Sequence, residues 1–209
     1  MMEAEEAKTA SEQTRARLLD AAREVFSQRG FQGATVREIC RRAEANGAAV
    51  NYHFGSKDVL LAEALNFAPL AALQKANSSE CPNIRLRLFI RDFMLMLLDE
   101  NKPSSQCRIM ARELADPTPA LDKIVREAIA PLHEFMGELV REIVGQKVGA
   151  ADLRRCVYSI LGQCLFYRHS HPVLQRLHHT LHYDHKEIEA IAEHIVEFSL
   201  AGIKRISKK

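Results

Sequence analysis

The chain has 209 residues, 47% of them hydrophobic and 27% charged, which is ordinary for a protein that buries an apolar core. It has no run of roughly 18 or more uncharged apolar residues, and its first 13 residues are acidic without an apolar stretch, so we expect neither a membrane span nor a signal or transit peptide. The net charge is only +2, but residues 15–57 carry eight basic and four acidic side chains, a local excess of +4 that suits a surface facing phosphates.

Apolar residues recur at helical spacing along the whole chain, and no segment alternates convincingly as a strand does. A first helix is predicted over about 14–29, and Gly30 supplies the left-handed residue that ends it. Thr35 and Glu38 form a capping box, in which the threonine oxygen accepts from an amide of the first turn and Glu38 reaches back to the cap. The helix that follows is short and ends near Ala43.

A tight turn at Glu44-Ala45 leads to Asn46, the predicted N-cap of a second short helix over about 47–53. Ser56 then caps a helix that continues to about Ala76. Two short helices joined by such a turn are typical of a helix-turn-helix, whose second helix is thin enough to enter the major groove of DNA. The alternative from spacing alone is an ordinary corner between two helices.

The rest of the chain is predicted to be helical as well. We expect an all-α fold of about nine helices, with an N-terminal three-helix DNA-binding domain and a C-terminal helical domain for ligand binding and dimerisation. The C-terminal helices are predicted at about 83–99, through Arg108 to Met110, at 120–145 with a kink at Pro131, at 151–168, and from a cap at Asp184 to about Ile206. The predicted domains are a disordered tail at 1–13, the helix-turn-helix domain at 14–60 and the sensing and dimerisation domain at 61–209.

The composition of the second short helix fits insertion into a groove. Its start is uncluttered, because residues 47–49 are Gly-Ala-Ala and let the backbone approach base edges. Val50 and Phe54 are expected to face inward. Residues 51–53, Asn-Tyr-His, then present polar tips around the contact surface.

The motif Thr35-x-x-x-Ile39-x-x-x-Ala43, followed by Asn51-Tyr52-His53-Phe54-Gly55-Ser56-Lys57-Asp58-x-Leu60, resembles the DNA-binding domain of the TetR family of one-component regulators. This resemblance runs without a gap from about Arg17 to Leu65. The later half is similar to the CecR-like subset of that family, through Arg112-Glu113-Leu114, the segment 162–167 and Phe198-x-x-Ala201-Gly202. The resemblance implies a transcriptional repressor that binds a palindromic operator as a homodimer and is released by a small-molecule inducer.

The resemblance also implies roles for single residues. Thr35 and Lys57 match family positions that contact phosphates on either side of the groove, and residues 46–49 and 51–53 match the recognition segment. The predicted DNA-binding residues are Thr35, Arg37, Asn46, Gly47, Ala48, Ala49, Asn51, Tyr52, His53 and Lys57.

The sequence departs from the family pattern in three ways. Glu44 stands where the turn usually has glycine, so a residue with a Cβ is expected in a left-handed conformation. Ala48-Ala49 replaces the usual Gly-Thr and removes a hydroxyl. Asn51 replaces the usual tyrosine, while a tyrosine stands at position 52, which leaves open which of the two contacts DNA.

One short recognition helix reads few base pairs, so regulators of this kind double it by two-fold symmetry. The last helix has two adjacent apolar stripes, a face wide enough to pack on its own domain and on a partner. A purely intramolecular core helix is the alternative. The predicted interface residues are Val157, Ile160, Leu161, Cys164, Ile188, Ile191, Ile195 and Phe198.

Bulky apolar residues on several helices suggest a pocket for a small apolar or aromatic inducer, although each of them also suits a plain core. The predicted lining residues are Phe89, Phe93, Met110, Phe135 and Phe166. Six of the nine histidines lie between His169 and His185, and His178, His182 and His185 have the spacing of one helical face. They could hold zinc, but without a cysteine or carboxylate to complete the site we favour a polar surface connection, with no metal and no cofactor.

Other functional classes find little support in the sequence. No histidine has a glutamate three residues before it, as a di-iron bundle requires, and neither His-Glu-x-x-His nor Gly-x-Ser-x-Gly occurs. The five cysteines form no Cys-x-x-Cys pair, which favours reduced thiols in a cytoplasmic protein. We therefore expect a DNA-binding protein and not an enzyme; a DNA-binding scaffold without a ligand response is the remaining alternative.

Overall fold

The computed structural model describes residues 2–75, 80–98, 105–145 and 148–207. Within these ranges every regular element is helical, which confirms the all-α prediction. None of the helices described is long and apolar enough to cross a membrane. The elements are α1 (Met2–Gly33), α2 (Val36–Arg42), α3 (Ala49–Phe54), α4 (Lys57–Ala64), α5 (Ala68–Lys75), α6 (Pro82–Leu98), α7 (Ser105–Ala115), α8 (Ala120–Ile124), a π-helical turn (Val125–Ile129), α9 (Ala130–Val144), α10 (Ala150–His169), α11 (His171–Leu177) and α12 (His185–Ile206).

The chain divides into two compact units, and each is made of two separate segments. The first unit comprises Met1–Asn66 and Pro103–Glu127, and the second comprises Phe67–Lys102 and Ala128–Lys209. The first unit therefore holds α7 and α8 in addition to the region predicted as the helix-turn-helix domain. Residues 2–13, predicted as a disordered tail, belong to α1 in the structure.

Helix α1 is the centre of the first unit. Its buried face carries Leu18, Val25 and Phe26, and it packs against α2, α4 and α7. Helix α8 packs on α4 and buries Ile124. Because α7 and α8 join this unit through tertiary packing, the hydrophobic period of the sequence could indicate that they are helices but not which unit they stabilise.

Two long predicted helices are interrupted. The helix predicted from Ser56 to Ala76 breaks at Asn66, which has a positive φ of 44°, and resumes with Pro69 in the first turn of α5. A left-handed asparagine ends a helix at low cost, and proline is tolerated where its missing N–H has no intrahelical acceptor. The predicted kink before Pro131 is the π-helical turn, since a proline cannot continue the hydrogen-bond ladder and its ring crowds the preceding turn.

The second unit is a helical bundle in which α6, α9, α10 and α12 enclose one apolar core. Helix α6 contributes Leu86, Ile90 and Met94, all fully buried, and α9 contributes Met136 and Leu139. Asp184 caps α12 as predicted, because its carboxylate accepts from the amide of Glu187 at 2.8 Å.

Candidate nucleic-acid interface

Side-chain caps fix the start of the two helices that flank α3. Thr35 Oγ1 accepts from the Glu38 amide at 3.2 Å, and Ser56 Oγ accepts from the Val59 amide at 3.3 Å, which confirms both predicted caps. The predicted cap at Asn46 is wrong, because α3 begins at Ala49, two residues later than predicted, and its N-cap is Ala48, which makes no side-chain cap hydrogen bond. Asn46 Oδ1 instead accepts from the Ala48 amide at 2.9 Å in the turn before the helix.

The second half of the predicted capping box is wrong, because the Glu38 carboxylate has other partners. It lies 2.8 Å from Arg29 Nη1 of α1 and 3.1 Å from Arg42 Nη2 of its own helix. Arg42 also lies 3.3 Å from Glu24 on α1. Two arginines outweigh one backbone amide as partners for a carboxylate, and the network ties α2 to α1.

The turn between α2 and α3 contains the strained residue that the sequence predicted. Glu44 has a φ of 50°, which confirms the left-handed conformation at this position. The Ala45 amide donates to the Cys40 carbonyl oxygen at 2.9 Å, so the turn closes despite the Cβ. The usual glycine would relieve roughly 1 kcal/mol of backbone strain here.

Helix α3 buries one side and exposes the other. Val50 and Phe54 face the core of the unit, as predicted. Successive residues of a helix are rotated by about 100°, which places Tyr52 opposite this buried side and Asn51 on its flank. Tyr52 is 81% exposed, and its ring lies 4.9 Å from that of His53 in an edge-to-face contact. Both candidate base-reading residues are therefore exposed, with Tyr52 at the centre of the exposed side.

Four of the eight basic residues counted in the sequence form ion pairs within the first unit. Arg15 pairs with Glu63, and Arg23 lies 2.6 Å from Asp20. Arg29 and Arg42 belong to the Glu38 network, and Arg23 also donates to the Ala64 carbonyl oxygen at 2.9 Å. These four arginines therefore hold α1, α2 and α4 together.

Two of the cations left for phosphate lie on α2. Arg37 and Arg41 are both exposed, and neither forms an ion pair within the part of the chain that the structure describes. They are one helical turn apart and so share one face. Arg41 was missed by the sequence reasoning, although its spacing of four residues from Arg37 could have indicated it.

Lys57 of α4 binds two backbone carbonyl oxygens at the junction of α1 and α2. Its Nζ donates to the carbonyl oxygens of Phe31, at 2.9 Å, and Ala34, at 3.1 Å. It also lies 4.0 Å from the centroid of the Phe31 ring, a cation–π contact. An ammonium group has three N–H donors, so one remains for the phosphate contact that the sequence predicts. Thr35 keeps its hydroxyl proton for a similar contact, since its oxygen acts as the acceptor in the cap.

The residues predicted for the ligand pocket are only partly brought together. Phe89, Phe93 and Phe135 form one cluster in the second unit, with ring centroids 5.4 and 5.5 Å apart. Met110 lies on α7 and belongs to the first unit. Phe166 lies on α10 and is 53% exposed. Of the predicted lining residues the structure therefore brings three together, as part of the apolar core of the second unit.

The histidine segment does not form one helical face, the alternative that we did not favour from the sequence. Helix α11 ends at Leu177 and α12 starts at His185, so His178 and His182 lie in the connection between them. His178 and His182 line an open surface cleft of about 570 Å³ together with Asp184, Lys186 and Glu187. Among the described residues, no three histidine, cysteine or carboxylate side chains converge as metal ligands would.

Most of the residues predicted for the dimer interface lie in the core of the second unit. The chain's own packing buries Val157, Ile160, Cys164, Ile188, Ile191 and Ile195, while Leu161 is half-buried. Burial also raises the pKa of the Cys164 thiol to about 12. Both apolar stripes of α12 serve this core, and Phe198 alone of the predicted set is exposed.

A different apolar surface remains on α10 and α12, which pack against each other. Its aromatic members are Tyr158 and Phe166 of α10 and Phe198 of α12, which are 59%, 53% and 65% exposed. Gly162 and Gly202 lie on the same two helices, and a Cβ at either would meet no atom within 4 Å. We refer to these five residues as the α10–α12 face. Exposed apolar patches mark interaction surfaces, and the glycines beside these aromatics let another helix approach closely.

Two family models match the chain. "Bacterial regulatory proteins, tetR family" matches residues 18–64, and "HTH-type transcriptional dual regulator CecR, C-terminal domain" matches residues 82–203. A protein of Shigella flexneri with the name HTH-type transcriptional dual regulator CecR is 28% identical over 171 residues, which are 75% of this chain and 76% of that one.

Solved structures share the fold. A transcriptional regulator from Rhodococcus sp. Rha1 aligns with a TM-score of 0.63 and 24% identity, over 90% of this chain and 96% of that chain. The structure of AibR in complex with isovaleryl coenzyme A and operator DNA aligns with a TM-score of 0.62 and 20% identity, over 89% of this chain and 97% of that chain. At these identities the likeness concerns the fold alone.

Proposed function

The chain belongs to the TetR family of bacterial transcriptional regulators, in its CecR-like subset, and we propose that it is a repressor that binds a palindromic operator as a homodimer and releases it when a small molecule binds. The matched families are DNA-binding regulators and not enzymes. The proposal places the protein in the cytoplasm with its operator DNA.

The observation that supports DNA binding most strongly is the exposed side of α3, between the capped helices α2 and α4. Tyr52 and Asn51 point away from the core, while Thr35 and Lys57 stand at the N-termini of the two flanking helices. The positive end of a helix dipole favours a phosphate oxygen at such a terminus. Arg37 and Arg41 add two cations without acidic partners among the described residues, which supports phosphate contacts beside the groove.

The dimer follows from the reach of one recognition helix and from the α10–α12 face. Two copies related by a two-fold axis present two recognition helices to half-sites about 34–36 Å apart, one turn of DNA. The α10–α12 face can meet its own copy, because a two-fold interface uses the same patch on both subunits. Its exposed aromatics support this role, and they replace the buried set that the sequence suggested.

The inducer is proposed to be small and apolar or aromatic. Support comes from the cluster of Phe89, Phe93 and Phe135 in the second unit. An inducer that binds one conformation of this unit more tightly would shift the spacing of the recognition helices away from one turn of DNA. A related fold has been solved with both isovaleryl coenzyme A and operator DNA, which makes an acyl compound a sensible first candidate.

Footprinting on DNA that flanks the gene tests the proposal most directly. We expect protection of a palindrome whose two halves are about one helical turn apart. Protection that shows no symmetry would contradict the dimeric reading. A titration of small apolar acids, their thioesters and aromatic compounds against the operator complex then tests release, and affinity that no compound changes would leave a DNA-binding scaffold without a ligand response.

Exchange of the α3 side chains should separate base reading from general affinity. We expect Tyr52→Ala to weaken operator binding by about tenfold while unrelated DNA is bound almost as before, because one lost base contact costs roughly 1–3 kcal/mol. Asn51→Ala should change sequence preference less, since Asn51 lies on the flank of the exposed side. Titrations against single-base variants of the operator measure both effects, and equal loss on every sequence would argue against base contact.

A further inference from the structure

Residues 30–34, which we call the α1–α2 loop, run from the kink of α1 at Gly30 through its last residues to the cap of α2. Gly30 interrupts α1 with a φ of 67°, a conformation that residues with a Cβ rarely adopt. The Ala34 amide donates back to the Gly30 carbonyl oxygen at 3.2 Å, and Thr35 follows directly. The position of Thr35, and with it the start of α2, therefore depends on how this loop is held.

Lys57 holds the loop on one side. Its ammonium group binds the carbonyl oxygens of Phe31 and Ala34 and lies over the Phe31 ring. Phe31 in turn stacks on Phe26 of α1, with ring centroids 6.2 Å apart. The same side chain that is predicted to contact a phosphate is thus bound to the loop by two hydrogen bonds.

Arg112 of α7 holds the loop on another side. Its Nη2 donates to the Gln28 carbonyl oxygen at 3.2 Å, which satisfies an acceptor near the C-terminal end of α1. Its guanidinium also covers Gly30 closely, because a Cβ added there would lie 2.8 Å from Nη1. Gly30 is therefore required by its positive φ, and a Cβ at this position would also displace the flexible end of Arg112.

The end of α7 is itself fixed, which keeps Arg112 in place. Glu113 is a buried carboxylate, and its Oε2 accepts from the Thr118 hydroxyl at 2.8 Å and from the Thr118 amide at 3.3 Å. Helix α7 also packs along α1. A guanidinium that reaches from a fixed helix to the end of α1 limits the conformations open to the loop.

We propose that Arg112 is a positioning residue for DNA binding: from α7 it holds the α1–α2 loop in the conformation in which Thr35 and Lys57 meet the phosphates. This role requires no direct contact between Arg112 and the DNA. The inference rests on the DNA-binding part of the proposed function and adds α7 to the elements that determine operator affinity.

Arg112→Ala is expected to weaken operator binding by about tenfold, with the fold and the dimer intact because the side chain is exposed. The matched control is Arg126→Ala, which removes an exposed arginine of the same unit that forms no ion pair among the described residues and should change affinity less than twofold. Fluorescence anisotropy over a range of salt concentrations measures both. Unchanged affinity in Arg112→Ala, with wild-type protein bound normally, would overturn the inference alone; failure of the wild type to bind any flanking DNA would overturn the proposed function as well.

Two double variants separate positioning from a direct phosphate contact by Arg112. In Lys57→Ala protein, Arg112→Ala should reduce the salt slope no further, because the phosphate contact that Arg112 supports is already gone. A direct contact of Arg112 with a phosphate would lower the slope by about one more unit per protomer.

The second pair combines Gly30→Ala with Arg112→Ala. Gly30→Ala should reduce operator affinity less in Arg112→Ala protein than in wild type, since the crowding with the guanidinium is relieved and only the backbone strain remains. Strictly additive effects in both pairs would contradict the positioning role.

Discussion

A Phe198→Asp variant is expected to be monomeric and to bind the operator at least about a hundredfold more weakly than wild type. Phe198 is 65% exposed in the α10–α12 face, and a two-fold interface would place two such carboxylates close together in an apolar contact. Loss of the dimer removes the second recognition helix, so the affinity falls far more than a single lost contact would explain. Sedimentation velocity gives the oligomeric state, and anisotropy titrations give the affinity.

Two variants serve as controls for this result. Ile84→Asp places the same charge at a residue that is also exposed, on α6 of the same unit, and should remain dimeric. Ile195→Ala removes a side chain that is only 1% exposed and should lower the free energy of unfolding by about 2–4 kcal/mol without a specific loss of the dimer. A Phe198→Asp protein that sediments as a dimer would show that the α10–α12 face is not the interface.

Lys57→Ala is expected to have two separable effects. The first is a loss of about 2–3 kcal/mol in the free energy of unfolding, because the carbonyl oxygens of Phe31 and Ala34 lose a charged donor. The second is weaker binding to all DNA sequences alike, with a salt slope lower by about one unit per protomer, because a phosphate contact carries no sequence information. Chemical denaturation measures the first effect, and titrations at several salt concentrations measure the second.

Arg41→Ala is the comparison that separates the two roles of Lys57. Arg41 is exposed and without an ion pair among the described residues, so its loss should lower the salt slope by a similar amount and leave stability within about 0.5 kcal/mol of wild type. If Lys57→Ala altered base preference, the phosphate assignment would be wrong. If Lys57→Ala left the free energy of unfolding unchanged, its hydrogen bonds to the α1–α2 loop would stabilise the fold less than their geometry indicates.

The sequence predicted best those features that depend on residues close together in the chain. The caps at Thr35, Ser56 and Asp184 each join a side chain to an amide three residues later, so the spacing alone reveals them. The positive φ of Glu44 was predictable from the family resemblance, because glycine usually stands at this position of the turn. Fold class followed from the helical period in the same way.

Features that depend on tertiary packing were not predictable from one sequence. The two apolar stripes of α12 are adjacent, and the pattern cannot say which of them faces a partner subunit and which the chain's own core. Ile188 and Ile195, which were predicted at the interface, are buried in that core. Local charge counts overstated the basic surface, since Glu38 binds arginines from two helices. The contact of Arg112 with Gln28, 84 residues away in sequence, leaves no periodic signal at all.

The composition of the first unit from two stretches of chain, Met1–Asn66 and Pro103–Glu127, limits how this regulator can be recombined with others. A chimera that joins its first 66 residues to the sensor of a relative would set a foreign α7 against its own α1. Such a hybrid would keep the recognition helix and yet lose the match between Gly30 and Arg112. An exchange of operator specificity between regulators of this type should therefore transplant both stretches, or choose donors that carry the same glycine and arginine.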